Sequence, residues 1–195
     1  WPLAKLAEVK KTAHENGLKT HLDGARIWNA AAAMNIPESE IAKHFDSLSV
    51  CFSKGLGAPV GSALAGSNDF IMEARRFRKQ FGGGMRQAGI IAAGALYALE
   101  NNRERLTVDH DNAKMLAKGL AEINGIDINP DDVETNIINF RVKGMNINAL
   151  IDKLNKQGTH VLAKDSITIR AVTNLMVSES QINIALDHVS NAMKS

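Results

Sequence analysis

The sequence predicts an α/β fold in two parts: a region over residues 1–105 built on a mostly parallel sheet with flanking helices, and a smaller α+β region over residues 106–195. Three observations predict it. Two short strand-like runs, each followed by a charged residue and a glycine, are separated by helical sequence, so that Asp23 and Lys54 stand 31 positions apart, the length of one β-α-β unit. After Asn101-Asn102 the character changes, and one long amphipathic segment gives way to short runs punctuated by Gly, Asn and Pro. The order of those runs is β-β-α-β-β-α, the pattern of a small sheet with helices on one face.

Each element has a local reason. Pro2 suits a first helical turn, and Leu3, Leu6, Ala7, Val9, Lys10 and Ala13 continue a stripe that stops at Asn16-Gly17. Leu18 to Leu22 reads as the strand that delivers Asp23, and the Ala-rich run Ala25 to Met34 as the helix after it. On that reading His21 is a packed or hydrogen-bonded histidine that does not share Asp23's side. Pro37-Glu38-Ser39-Glu40 opens a short helix reaching His44, and Phe45-Asp46 lead into an alternating strand over 47–52. Gly55, Gly57 and Pro59 forbid that strand from continuing, which leaves Lys54 at its carboxyl end. Gly61 and Ser62 allow a reversal into a strand over Ala63 to Gly66.

Asn68 or Asp69 is expected to cap a helix bearing Arg75, Arg76, Arg78 and Lys79; the chain then loosens at Gly82-Gly83-Gly84, and Met85-Arg86-Gln87 leads into a helix over Ala88 to Glu100. In the second region Leu106 to Ile123 reads as a helix, followed by strands at Ile126–Ile128, Asn136–Val142, His160–Ala163 and Ser166–Arg170. Helices are expected over Asn146–Gln157 and Ser178–Met193, the second opened by the capping box Ser178-x-x-Gln181.

In open α/β sheets ligands collect at the carboxyl ends of the strands, where two successive parallel strands would bring Asp23 and Lys54 together. A lysine amine that can take an aldehyde and a carboxylate that can keep a ring nitrogen protonated are the two groups pyridoxal phosphate requires. Taken singly, a lysine after a strand is more often a solvated loop residue. Lys79 and Arg86, basic groups close before a helix start, can hold a phosphate or form a solvated face; both readings stand. Arg26, three residues past Asp23, can meet the same ligand.

Three stretches carry a resemblance: His21-Leu22-Asp23-Gly24-Ala25-Arg26; Asp46 through Ser62, with Ser53-Lys54-Gly55-Leu56-Gly57-Ala58-Pro59 at its centre; and Arg78 through Gly89, with its three glycines and Met85-Arg86-Gln87. Together they closely resemble the threonine aldolases, pyridoxal-phosphate lyases of the aspartate-aminotransferase fold type (fold type I). The resemblance implies that residues 1–105 form the second half of the large cofactor domain. It implies cleavage of L-threonine or L-allo-threonine to glycine and acetaldehyde, with β-elimination, or a catalytically silent interaction module, as the alternatives.

By the same resemblance Lys54 carries the cofactor, Asp23 binds its ring, Arg26 contacts cofactor or substrate, and Lys79 and Arg86 lie near the active site at a subunit boundary. Arg170, expected at a strand end in Ile169-Arg170-Ala171-Val172, would grip the substrate carboxylate, while Asn174 and Met176 stand where many members have other residues. Members also carry an amino-terminal half ahead of the Asp motif, with a phosphate-binding loop and a histidine that stacks on the cofactor ring. A sheet without those strands would leave apolar edges and helix faces uncovered. The implied assembly is a homodimer or homotetramer with shared sites.

Composition narrows the field. Twenty-three basic and 21 acidic side chains leave a net charge of +2, which points to no nucleic-acid or membrane partner; a small-molecule amino-acid substrate is what the resemblance implies. The single cysteine, Cys51, lies in an apolar run and fits a cytoplasmic, reducing setting. The six histidines show no metal-ligand spacing, and no Gly-x-Ser-x-Gly or Walker pattern is present, so no metal site is expected.

Overall fold

In the computed structural model, which describes residues 1–194, the chain divides into two units, Trp1–Glu104 and Arg105–Ser195. The first unit runs α1 (Leu3–Glu15), β1 (His21–Gly24), α2 (Ile27–Met34), α3 (Glu38–Ala42), β2 (Ser47–Cys51), β3 (Ser62–Gly66), α4 (Asn68–Gln80) and α5 (Gly89–Asn101). Its sheet has the order β1-β2-β3. β1 and β2 are parallel, with His21 opposite Ser47 and Asp23 opposite Ser49, as the β-α-β reading requires. β3 returns antiparallel, with Ser62 opposite Cys51.

The strand expected over Leu18 to Leu22 starts three residues later, because the polar groups before His21 are spent elsewhere. The Thr20 N–H and hydroxyl both donate to Asp46 Oδ2, at 2.7 and 3.0 Å, and the Thr20 carbonyl accepts from the Asp46 and Ser47 N–H groups. The shift has a consequence for the site. His21 and Asp23 become alternate residues of one strand and share a face, which corrects the expectation that they do not. His21 is hydrogen-bonded, its Nδ1 lying 2.8 Å from Ser47 Oγ.

Three apolar residues, Ile27, Ala31 and Ile41, form one buried cluster of this unit, with Leu6, Leu22, Phe45 and Leu48 packed around them. Ser67, rather than Asn68 or Asp69, caps α4: its hydroxyl accepts from the Phe70 N–H at 3.3 Å. β3 is exposed along its whole length and α4 buries none of its described residues, leaving Phe70, Phe77 and Phe81 in the open.

The second unit runs α6 (Leu106–Ala121), β4 (Ile126–Asp127), β5 (Ile137–Val142), α7 (Ile147–Lys156), β6 (Leu162–Ala163), β7 (Thr168–Val172) and α8 (Glu179–Lys194). Its antiparallel sheet has the order β4-β5-β7-β6. Alternation sorts the strand faces: Ile138, Phe140, Ile169 and Ala171 join Leu116, Leu120, Leu150, Leu154 and Ile182 of the helices in one buried cluster. Asn139 and Arg141 point the other way and are exposed. The capping box at α8 forms reciprocally, Gln181 N–H to Ser178 Oγ and Ser178 N–H to Gln181 Oε1. The strand expected to end at Arg170 continues to Val172, because Ile137 and Ile138 of β5 pair with Val172 and Ala171; Arg170 is therefore mid-strand.

Candidate active site

The lysine loop is built by backbone closure. Phe52 N–H donates to the Gly61 carbonyl at 3.0 Å, Ala58 N–H to the Phe52 carbonyl at 2.9 Å, and Gly57 N–H to the Lys54 carbonyl at 2.8 Å. Gly57 takes a φ of 74°, which only a residue without a side chain adopts cheaply. The loop is pinned from inside by Leu56, which is fully buried, and from the carboxyl-terminal cap of α5 by Asn102, whose Nδ2 donates to the Leu56 carbonyl at 2.7 Å. On the other side Trp28 donates from Nε1 to the Cys51 carbonyl at 3.1 Å and stacks on Phe52 with 6.3 Å between centroids. The result is a fixed backbone that presents an exposed Lys54 side chain three residues beyond β2.

Asp23 sits next to this exit on the parallel neighbour strand. It is exposed, and its Oδ1 accepts from the Ala25 N–H at 3.2 Å, which leaves Oδ2 for a ligand. The strands approach closely at the following residue: a Cβ on Gly24 would lie 2.8 Å from the Ser49 carbonyl oxygen, so glycine is required there. Arg26, half-buried at the start of α2, lines with Asp23, Gly24 and Leu22 a cleft of about 480 Å³ that Lys54 does not line. Beneath it Asp46 ties the start of β1 to that of β2. The Thr20 N–H, followed by the His14 ring 2.9 Å away, holds the Asp46 carboxyl well below the usual carboxylate range.

Lys79 and Arg86 belong to other elements, α4 and the connection that follows it. Lys79 is exposed in the last turn of α4, and Arg86 is exposed on the connection to α5, with Gln87 at a φ of 48°. Among the described residues neither makes a side-chain hydrogen bond or ion pair, and nor does Lys54. The triglycine loop packs back on α4: Gly83 N–H donates to the Arg78 carbonyl, and a Cβ on Gly84 would stand 3.0 Å from Lys79 Cδ.

In the second unit Arg170 stands mid-β7, opposite Asn139 of β5 and Leu162 of β6. It is half-buried, and its Nε is buried with no hydrogen-bond partner among the described residues. The chain leaving β7 is clamped. Thr173 Oγ1 donates to the Asp109 carbonyl at 2.6 Å, Asn136 Nδ2 to the Thr173 carbonyl at 2.8 Å, and Asn112 Nδ2 to the Val177 carbonyl at 3.0 Å. Asp109 itself is fully buried against Arg105 at 2.8 Å; burial pushes its pKa up while the guanidinium pulls it down. These clamps, like Asn102 and Trp28, carry no sequence signal of their own, since each is a single polar or aromatic residue bonding across a long chain separation.

Residues 1–143 match the family model described as beta-eliminating lyase. The chain is 45% identical over 181 residues to a low specificity L-threonine aldolase of Escherichia coli and 41% identical over 189 residues to low-specificity L-threonine aldolase 1 of Arabidopsis thaliana. The alignments cover 93% and 95% of this chain but 53% of each relative, so the chain spans about half the length of the curated relatives it matches. The solved threonine aldolase of Leishmania major superposes with a TM-score of 0.77 at 21% identity, over 98% of this chain and 56% of that one, which establishes a shared fold.

Proposed function

The chain belongs to the beta-eliminating lyase family, and from that premise we propose that it carries the lysine, acid and arginine of a pyridoxal-phosphate-dependent carbon–carbon lyase. The reaction is the reversible cleavage of L-threonine or L-allo-threonine to glycine and acetaldehyde. The observation that carries the reading is the parallel pairing of β1 with β2, which sets Asp23 opposite Ser49 and brings Lys54 out of the same sheet edge, in a chain so similar to threonine aldolases.

The residues fit the cofactor. The close strand approach at Gly24, the Oδ2 of Asp23 and the unbonded Lys54 amine leave an acid and an amine beyond the ends of adjacent parallel strands. Pyridoxal phosphate, when bound, supplies an electron sink for the pair left at Cα as the Cα–Cβ bond breaks. Lys54 would hold the cofactor through its amine. Asp23 holds a proton on the ring nitrogen through a charge-assisted hydrogen bond. Arg170 grips the substrate carboxylate, and its unpartnered Nε supports that role: a donor left unmet costs about 1–3 kcal/mol, which an arriving carboxylate relieves. Arg26, sharing Asp23's cleft, orients the same carboxylate or the cofactor.

Lys79 and Arg86, basic and unbonded, serve the cofactor phosphate of a neighbouring subunit in a homodimer or homotetramer. The proposed setting is cytoplasmic, in keeping with one unpaired cysteine; no helix among the described residues is long and apolar enough to cross a membrane. The family description favours one second reading, β-elimination. Product analysis of the holoenzyme with L-threonine decides. Glycine and acetaldehyde in equal amounts are expected, whereas a keto acid with ammonia would replace the aldol reading with elimination.

A further inference from the structure

We propose that Asn139 is a second carboxylate-binding residue, acting beside Arg170 on the face of the small sheet turned away from its helices. The inference rests on the reading of Arg170 as the group that grips the amino acid's carboxylate. In the β5–β7 ladder Asn139 and Arg170 are directly opposite each other. Opposed residues of an antiparallel pair project to the same face with Cβ atoms about 5 Å apart, so the carboxamide and the guanidinium stand side by side. The strand alternation agrees: their neighbours Ile138, Phe140, Ile169 and Ala171 are the ones buried against the helices.

Chemistry says what this pair takes. Asn139 is exposed and its side chain makes no hydrogen bond among the described residues, while Arg170 makes no ion pair there and has an unmet Nε donor. Arg141, the next cation along the same face, stands opposite Asp127 of β4, whose carboxyl is held below its usual pKa by its ion pair with Lys143 at 2.9 Å and, to a smaller extent, by Arg141. A carboxylate offers about four lone-pair sites, and a guanidinium fork occupies two of them. The amide N–H of Asn139 is placed to take a third. Ile137 and Val172 lie opposite each other one step along the face, Arg141 and Thr168 one step the other way, and Leu162 stands beside Arg170. The pair is therefore suited to a small ligand with one free carboxylate, and Asn139 sets the preference for α-amino acids over simple amines.

The test uses the holoenzyme with Asn139→Ala and Asn139→Asp, following the binding of glycine and of methylamine through the cofactor's absorbance, beside steady-state rates with L-threonine. The expected result is a rise of about tenfold in the glycine Kd and the threonine KM for Asn139→Ala, the loss of one hydrogen bond to a charged group. For Asn139→Asp, which sets a like charge against the ligand, the rise is about a hundredfold. In both variants methylamine binding and kcat stay within about threefold, because the interaction is the same in ground and transition states. Because Asn139 is exposed, the variants fold, and an unchanged melting temperature confirms it. Unchanged glycine affinity in both variants overturns the inference, as does an equal loss for methylamine. Arg170→Ala separates the two layers: if it weakens glycine while the Asn139 variants do not, only the role of Asn139 falls. If Arg170→Ala also leaves glycine binding intact, the reading of Arg170 falls with it.

Discussion

Removing the Asn102 side chain should loosen the lysine loop without touching any group that meets the cofactor. Asn102 donates 2.7 Å to the Leu56 carbonyl, across 46 residues of sequence, at the point where the fully buried Leu56 anchors the loop. Asn102→Ala deletes the bond and leaves the carbonyl without that donor, a loss of about 1–2 kcal/mol. Since a factor of ten corresponds to about 1.4 kcal/mol, opening of the loop should become about 5 to 30 times more frequent. Hydrogen exchange reads this directly at two amides, that of Gly57, bonded to the Lys54 carbonyl, and that of Ala58, bonded to the Phe52 carbonyl. Their protection should fall by that factor while amides of α6 and β5, in the other unit, keep theirs. Asn102→Asp, of the same size but without the donor, should behave alike. Full protection at Ala58 in both variants would refute the claim that this side chain holds the loop.

Two further outcomes follow from the way β1 meets β2. Gly24→Ala puts a methyl 2.8 Å from the Ser49 carbonyl oxygen, so the strands must part by some tenths of an ångström; a loss of about 1–3 kcal/mol in urea unfolding is expected, and an unchanged midpoint would contradict the packing. Asp46 has a folded-state pKa below its ordinary value of 3.8, so the stability it contributes is complete above that value and disappears as the pH falls toward the lowered one. Asp46→Asn should therefore flatten the acid limb of the stability profile below pH ~4, and a variant that retains the wild-type slope would show that another carboxylate is responsible.

Much of the architecture is legible in the residues because periodicity and punctuation act locally. The order of strands and helices, the β-α-β step from Asp23 to Lys54 and the capping box at Ser178 all follow from patterns within a few residues of each other. Errors cluster where side chains compete with the ladder. Thr20 gives its N–H and hydroxyl to Asp46, and β1 begins later than its apolar run indicates. Ser67, one residue ahead of the two expected caps, wins because its hydroxyl reaches the Phe70 N–H. Arg170 is mid-strand because β5 is long enough to pair beyond it. The supports of the site were illegible for a different reason. Asn102, Trp28, Thr173 and Asn136 each act through one bond to a carbonyl far away in sequence, and nothing in their neighbourhood foretells the partner.

The central claim is that Lys54 bears the cofactor. The most direct measurement is borohydride reduction of the cofactor-loaded protein followed by mass mapping of its lysines, with Lys54→Ala as the partner sample. The account predicts one modified lysine, Lys54, carrying the mass of the reduced cofactor, and no modified lysine in the variant. A cofactor mass on any other lysine, or an undiminished yield of adduct in Lys54→Ala, would contradict it.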